Sequence, residues 1–186
     1  MWSFMSLSNT TYLPSKCLNV ENISKAFLFI VDPFPLPPGW KQSMSEADHK
    51  WVSKALFHLN TRGKVELDNT KLTQLWFYPP QPPLISNQVP RADRYFAHRL
   101  LVWMPRRMWR VDLCCPHTQC NGHPLTSSGI YHRVRRVLDL TGYYNLVAEY
   151  LECSKCKRKL ISWSGAIINQ LDVGHQSQFP VLLTYK

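Results

Sequence analysis

Two different spacings of apolar residues divide the chain into a helical part and a strand-forming part. Between residues 43 and 59 the apolar positions recur three and four residues apart, which is typical of a helix with one face in a core. Ser43 and Glu46 stand three residues apart at its start and form a predicted capping box. Gly63 then marks a hairpin that leads to residues 64–67, and a second short helix is predicted from residue 69 to about residue 75.

The strand-forming part lies between residues 131 and 163. Residues 131–140 alternate with a period of two, so Arg133 and Arg135 share one face of the predicted strand and Arg136 lies on the other. A turn follows at residues 141–142, and the next two runs of aromatic and branched residues are 143–152 and 159–163. These three runs predict a small antiparallel sheet.

Weaker patterns flank this sheet. Residues 91–104 predict a helix that runs into a strand, which Pro105 stops. Ser164 is predicted to cap a short helix that ends just before Gly174. The chain finishes on an apolar run at residues 179–186, and because an apolar strand without continuation leaves an edge uncovered, we expect the sequence to be a fragment of a longer protein.

The net charge of +10 is concentrated in one region of the chain. Residues 91–160 carry 13 basic and 5 acidic side chains, whereas residues 1–90 carry 8 and 6. Such a concentration indicates a surface that binds a polyanion. Apolar residues make up 45% of the chain and aromatic residues 12%, a composition that supports a folded core and excludes a disordered tail.

Five of the six cysteines lie in two short segments, residues 113–120 and residues 151–159. Two residues separate the members of one pair and four separate those of the other, and both gaps occur in tetrahedral zinc sites. We therefore predict one structural Zn²⁺ ion. In a sheet this small the metal would supply much of the folding free energy, on the order of 10 kcal/mol. The predicted ligands are Cys115, Cys120, Cys153 and Cys156.

The first pair of ligands has alternatives. Cys114 could replace Cys115, and His117 with Cys120 gives another two-residue gap. The 32 residues between Cys120 and Cys153 exceed the 15–20 of the common two-pair pattern, and the strand-forming run between them explains this length. The other interpretations are buried cysteines that pack as small apolar residues, and disulfides, which are rare in reducing compartments.

Three segments follow from these patterns. Residues 1–37 are poorly defined, with a predicted buried strand at 26–31 and a proline-rich linker behind it. Residues 38–85 form a predicted helical part that ends in the proline-rich stretch 79–83, a stiff connector. Residues 86–186 form a predicted basic zinc-ribbon domain. The expected fold class is α+β, with a ribbon of about three strands and a helix-containing N-terminal part.

Positive and aromatic side chains are interleaved on the predicted ribbon and on its approach. Cations meet phosphates and aromatic rings stack on bases, so this pattern favours nucleic acid, although arginines of an amphipathic segment can also be simply solvated. Tyr131, Tyr143 and Trp163 could stack on bases. The predicted nucleic-acid-binding residues are Arg106, Arg107, Arg110, Arg133, Arg135, Arg136, Lys155, Lys157, Arg158 and Lys159.

Five short motifs carry a resemblance to a known family: Trp-Met-Pro-Arg-Arg-Met-Trp at 103–109, Cys-Pro-His at 115–117, the Arg-Val-Arg run at 133–140, Glu-Tyr-Leu-Glu-Cys at 149–153 and Phe-Pro-Val-Leu-Leu-Thr-Tyr at 179–185. Over about residues 38–186 the chain resembles an uncharacterised domain repeated in vertebrate proteins derived from mobile elements. The ribbon alone resembles the N-terminal zinc-binding module of bacterial insertion-sequence transposases. The resemblance implies zinc binding and nucleic-acid contact. Thr118 and Gln119, inserted before Cys120, depart from the transposase pattern.

These observations predict a zinc-binding nucleic-acid recognition module of a transposon-derived protein, with DNA as the expected partner. The sequence shows no secretory signal and no apolar run long enough to span a membrane, so we expect a nuclear or cytoplasmic protein. The alternative function is a zinc-stapled protein-interaction domain with a basic surface. A metal-dependent nuclease is less favoured, and we predict no enzyme, because four thiolates leave no open position on the metal.

Overall fold

One long strand organises the fold in the computed structural model, which describes residues 36–81 and 96–180. That strand is β7 (Gly142–Cys153). The other described strands are β1 (Phe57–Leu59), β2 (Val65–Leu67), β3 (Trp76–Phe77), β4 (Arg99–Trp103), β5 (Leu125–Ile130), β6 (Arg135–Asp139) and β8 (Lys159–Ile161). The described α-helices are α1 (Pro38–Ser43), α2 (Glu46–Leu56), α3 (Pro105–Trp109), α4 (Gly165–Ile168) and α5 (Val173–Ser177).

Six of the strands join into one mixed sheet through β7. Along the N-terminal half of β7, β4 pairs in parallel and β6 pairs antiparallel. Along its C-terminal half, β5 and β8 both pair antiparallel. β3 extends the sheet beyond β4, and β1 and β2 form a separate hairpin. The mixture of helices and strands is as predicted, but the three-stranded ribbon is not confirmed, because β6, β7 and β8 belong to a sheet of six.

β4, which the predicted three-stranded ribbon does not include, lies between β3 and β7 in the sheet. Its composition suits this interior position. Residues 100–104 are apolar without interruption and all are fully buried. A continuous apolar run of this kind belongs to a strand that is covered on both faces, as parallel strands usually are. The first core cluster contains Trp40, Val52 and Leu56 from α1 and α2 together with Leu100 and Val102. The second core cluster is distinct from it and contains Leu101 and Trp103, Leu146 and Leu151 of β7, Ile167, and Cys115, Cys120 and Cys153.

The strand predicted at residues 131–140 is shorter than expected. Ile130 pairs with Glu149 and Arg135 with Leu146, so the four residues between them must pass only two positions of β7. The segment therefore leaves the regular ladder, and β6 begins only at Arg135. Val134 is consequently buried in the first core cluster, and the predicted alternation of faces does not extend to Arg133.

Several predicted helix ends also differ from the structure. The cap of α2 is Ser45 and not Ser43, since the Ser45 hydroxyl accepts from the Asp48 N–H. The helix ends three residues earlier than predicted, because Phe57 is extended and begins β1. The second helix is only a 3₁₀ turn, Asn69–Lys71. Pro105 both ends β4 and starts α3, where its fixed φ suits a first helical position. Gly174 lies within α5, beyond the short helix that Ser164 starts.

Other predictions lie outside the described residues. They concern the strand at residues 26–31, most of the helix predicted from residue 91, the boundary near residue 85 and the end of the apolar C-terminal run. Across residues 36–81 and 96–180, none of the helices is both long and apolar enough to cross a membrane.

Gly39 provides a sensitive test of how α1 packs against the sheet. A Cβ atom at this position would lie 2.0 Å from the carbonyl oxygen of His132, which is backbone and cannot rotate away. We expect Gly39→Ala to destabilise the fold by about 1–3 kcal/mol, the usual cost of overpacking. The matched control is Gly165→Ala, since nothing lies within 4 Å of its added Cβ. Urea denaturation followed by circular dichroism measures both variants, and equal stabilities would contradict this packing.

Candidate metal centre and basic groove

Four cysteine sulfurs converge at the C-terminal end of β7. The Sγ atoms of Cys115, Cys120, Cys153 and Cys156 all lie within 4.8 Å of one another. The Sγ atoms of Cys115 and Cys156 are 3.7 Å apart, and those of Cys120 and Cys153 are 3.9 Å apart. All four are free thiols, three are buried and Cys156 is half-buried. This four-cysteine cluster could hold one metal ion, and it consists of the four residues that the spacing predicted.

The first knuckle, residues 115–122, is a tight turn closed by backbone hydrogen bonds. The Cys120 N–H donates to the His117 carbonyl, and the Cys115 N–H donates to the carbonyl of His123. Asn121 and Gly122 both adopt positive φ angles, +50° and +67°. These left-handed residues reverse the chain immediately after Cys120, in a conformation that asparagine and glycine tolerate best.

The second knuckle, residues 153–158, repeats this construction at the end of β7. The Lys157 N–H donates to the Cys153 carbonyl and the Cys153 N–H donates to the Arg158 carbonyl. Lys157, the residue directly after the second cysteine, has a φ of +57°. Both knuckles therefore place a left-handed residue at the same position relative to their cysteines. The His123 ring nitrogen Nε2 lies 2.6 Å from the Ser154 hydroxyl and joins the two knuckles.

The protonation of the thiols depends on their different surroundings. The N–H of Cys156 donates to the Cys153 sulfur and, with that of Lys155, lowers the pKa of Cys153 to about 7. Burial and the neighbouring thiols raise the pKa of Cys120 to about 12. The His117 N–H acts to lower the pKa of Cys115, but burial and the Cys153 thiol raise it overall. A metal cation bound to the four sulfurs would lower the raised pKa values of these thiols, because a coordinated thiol loses its proton.

The alternative ligands lie differently. Cys114 is exposed, and its N–H and carbonyl are both hydrogen-bonded to the side-chain amide of Gln170, at 2.7 and 3.0 Å. The Nδ1 atom of His117 lies 3.9 Å from the Cys120 sulfur but is not among the four converging ligand atoms. The geometry thus favours Cys115 as the partner of Cys120 in the first knuckle.

A groove at the other end of β8 brings together two of the predicted nucleic-acid-binding residues with aromatic side chains. It has a volume of about 420 Å³. We call it the basic groove, and its lining residues are Tyr131, Arg133, Val134, Arg135, Ile161 and Trp163. Arg133 is exposed and Arg135 is half-buried. Tyr131 and Trp163 meet edge to face, with ring centroids 5.0 Å apart.

The remaining predicted basic residues fall into two groups. Arg110, Arg136, Lys155, Lys157, Arg158 and Lys159 are exposed, and Lys159 lies 3.7 Å from Glu152. Arg106 and Arg107 belong to α3, where Arg107 Nε donates to Glu149 at 3.2 Å and Arg107 Nη1 donates to Asn69 at 3.1 Å. The Arg107 side chain is only 22% exposed, so its charge is directed at a buried carboxylate.

Two buried acids were missed by the sequence reasoning. Asp48 is fully buried and accepts from the His98 N–H, from Trp51 and from Asn145. It lies three residues before Trp51 on the core face of α2, so an acid within an apolar stripe was the available signal. Glu149 is also fully buried, and burial raises its pKa although Ser127 and Arg107 act in the opposite direction.

The comparisons with known proteins identify one family. Residues 40–186 match the model of a family described as a domain of unknown function, DUF6729. No curated protein and no solved structure matches the chain. The matched residues include all four cysteines of the cluster and all six residues that line the basic groove. Because the match covers most of its length, the chain belongs to the DUF6729 family of domains.

Proposed function

We propose that the four-cysteine cluster holds one structural Zn²⁺ ion. Sulfur atoms bound at about 2.3 Å to a tetrahedral zinc lie about 3.8 Å apart, close to the observed 3.7 and 3.9 Å. Four thiolates complete the coordination shell and leave no position for a substrate. The metal therefore acts as a scaffold that joins the two knuckles to the end of β7.

The function that the geometry supports best is binding of nucleic acid through the basic groove. The observation that carries this proposal is the combination of Arg133 and Arg135 with the rings of Tyr131 and Trp163 around one depression. Guanidinium groups pair with phosphates, and aromatic rings provide surfaces for bases. A purely solvated arginine surface has no need of aromatic rings beside its charges.

Further cations extend this surface along β8. Lys155, Lys157 and Arg158 are exposed at the second knuckle, and Ile161 of the groove lies three residues beyond Arg158. Three residues of a strand span about 10 Å, which is about one Debye length at roughly 0.1 M salt. The knuckle and the groove would therefore act on the same polyanion, and the metal would fix the position of both.

The resemblance to domains of mobile-element-derived proteins and to the zinc module of transposases supports DNA as the polyanion and the nucleus as the site of action. Such a domain would recognise DNA and would not itself cleave it, because the proposed zinc has no open coordination position.

Neutralising the groove should weaken binding in a salt-dependent way. We expect Arg133→Gln/Arg135→Gln to reduce affinity for a labelled oligonucleotide and to flatten the slope of log K against log salt by about two units, since each phosphate contact contributes roughly 0.9. Zinc content should be unchanged and stability should change by about 0.5 kcal/mol or less. Fluorescence anisotropy across a salt series measures the slope.

The matched control removes two exposed charges elsewhere. Lys54 lies on α2 and Arg62 in the turn between β1 and β2, and both are exposed. Lys54→Gln/Arg62→Gln lowers the net charge equally and should leave the slope nearly unchanged. Equal effects of the two double variants would mean that net charge alone attracts the oligonucleotide. If an acidic peptide displaces the oligonucleotide and binds more tightly than it does, the basic surface belongs to a protein partner.

A further inference from the structure

We infer that the basic groove selects single-stranded nucleic acid by accepting one unpaired base against Trp163, with the flanking phosphates on Arg133 and Arg135. This inference rests on the proposed function and specifies its substrate. The volume of about 420 Å³ lies at the lower end of the range for small-molecule sites, roughly 300–1,000 Å³. This volume suits a nucleoside-sized group.

The aromatic side of the groove is built to receive a flat ring. Trp163 is half-buried against the second core cluster, and Tyr131 meets it at an interplanar angle of 73°. A second ring, that of Tyr150, supports Tyr131 at 5.2 Å. Two rings nearly perpendicular to each other form a corner, in which a base could stack on one ring and present its edge to the other.

The backbone of the groove wall is held rigidly before any ligand binds. The Tyr131 N–H donates to the Ala148 carbonyl at 2.8 Å, and the buried Trp40 ring donates to the Tyr131 carbonyl at 2.7 Å. Gly39 packs against the carbonyl of His132, and the buried Val134 anchors the segment beyond it. The four residues that leave the ladder of β7 are therefore a fixed wall, which reduces the entropy lost on binding.

A duplex does not present an unpaired base to the corner between the two rings. Each base in a duplex is stacked between its neighbours, and extruding one costs a few kcal/mol. Proteins that recognise the major groove of DNA usually insert a helix that presents several polar or basic side chains. In the described part of the chain the longest helix is α2, where Lys50 and Lys54 accompany Glu46 and Asp48, and the five-residue α3 directs Arg107 at Glu149. The exposed residues among the predicted nucleic-acid-binding cations lie instead on loops and strands.

The test compares three probes on the unaltered full chain. They are a labelled oligothymidylate of about 16 nucleotides, its duplex with the complementary strand, and an abasic strand of the same length. We expect the oligothymidylate to bind about 5- to 150-fold more tightly than the abasic strand, the range for one stacked base, and also more tightly than the duplex. Because the abasic strand keeps every phosphate, this comparison needs no variant of the protein.

Protein variants then locate the effect. Trp163→Leu should bring the affinity for the oligothymidylate down to that for the abasic strand, while Trp163→Phe should retain most of the difference. Equal affinity of the wild-type protein for the oligothymidylate and the abasic strand would overturn the inference and leave the proposed function standing, as would tighter binding of the duplex. Failure to bind any of the three probes would overturn the proposed function itself, and the inference with it.

Discussion

Replacement of Cys153 by serine is expected to release the metal and to unfold the sheet. Cys153 is fully buried at the end of β7, and four other strands pair with β7. Three of the four cysteines belong to the second core cluster, so the metal would lie within the core and not on an appendage. Structural zinc contributes on the order of 10 kcal/mol, which is comparable with the whole stability of a domain, about 5–15 kcal/mol.

Circular dichroism and metal content of Cys153→Ser measure this effect together. Cys114→Ser is the matched control, since Cys114 is exposed and uses only its backbone to contact Gln170. In the first knuckle we expect Cys115→Ser to lower metal affinity more than His117→Ala. A Cys153→Ser protein that is folded and still carries its metal would contradict the proposed centre.

The second large effect is expected from Asp48→Ala. This buried carboxylate joins α2 to the sheet, because it accepts from the His98 N–H at 2.8 Å and from Asn145 Nδ2 at 3.1 Å, while Trp51 donates to it from the same helix. Its removal leaves three buried or half-buried donors without an acceptor. We expect a loss of about 3–5 kcal/mol in the free energy of unfolding, measured by urea denaturation.

The pH dependence of the same variant adds a second readout. Burial acts to raise the pKa of Asp48, but hydrogen bonds from His98 and Trp51 outweigh it, so the pKa is lowered on folding. Asp48 therefore stabilises the fold above the unfolded pKa of about 3.9, and this contribution disappears as the pH falls through the lower folded value. Asp48→Ala should lose less stability than the wild-type protein over that acidic range.

Lys50→Ala, which removes an exposed ion pair with Glu46, should change stability by less than about 1 kcal/mol.

Local patterns in the sequence predicted the parts of the site that depend on neighbouring residues. The spacing of Cys153 and Cys156 is a property of one turn, and the structure brings this pair together with Cys115 and Cys120. The strand-forming runs that became β6, β7 and β8 were also recognisable, because alternation and branched side chains are local signals. The mixed content of helices and strands is confirmed for the same reason.

The rest of the fold depends on contacts between distant residues. The parallel pairing of β4 with β7 joins residues such as Leu101 and Leu146, and no local pattern specifies which strand lies beside another. The break between β5 and β6 likewise follows from a mismatch in length along β7, and it changes the position of Arg133 relative to Arg135. The pattern of basic and aromatic residues predicts that Arg107 contacts phosphates. Its actual partner, Glu149, is 42 residues away in the chain, and no local pattern reveals that pairing.

Metal stoichiometry tests the central claim most directly. Native mass spectrometry of the purified full chain, with elemental analysis of the same sample, gives both the number and the identity of bound ions. The four-cysteine cluster predicts one zinc per chain, lost together with the folded structure when a strong chelator is added. A folded protein that carries no metal, or that keeps its fold after the zinc has been removed, would contradict a structural zinc centre.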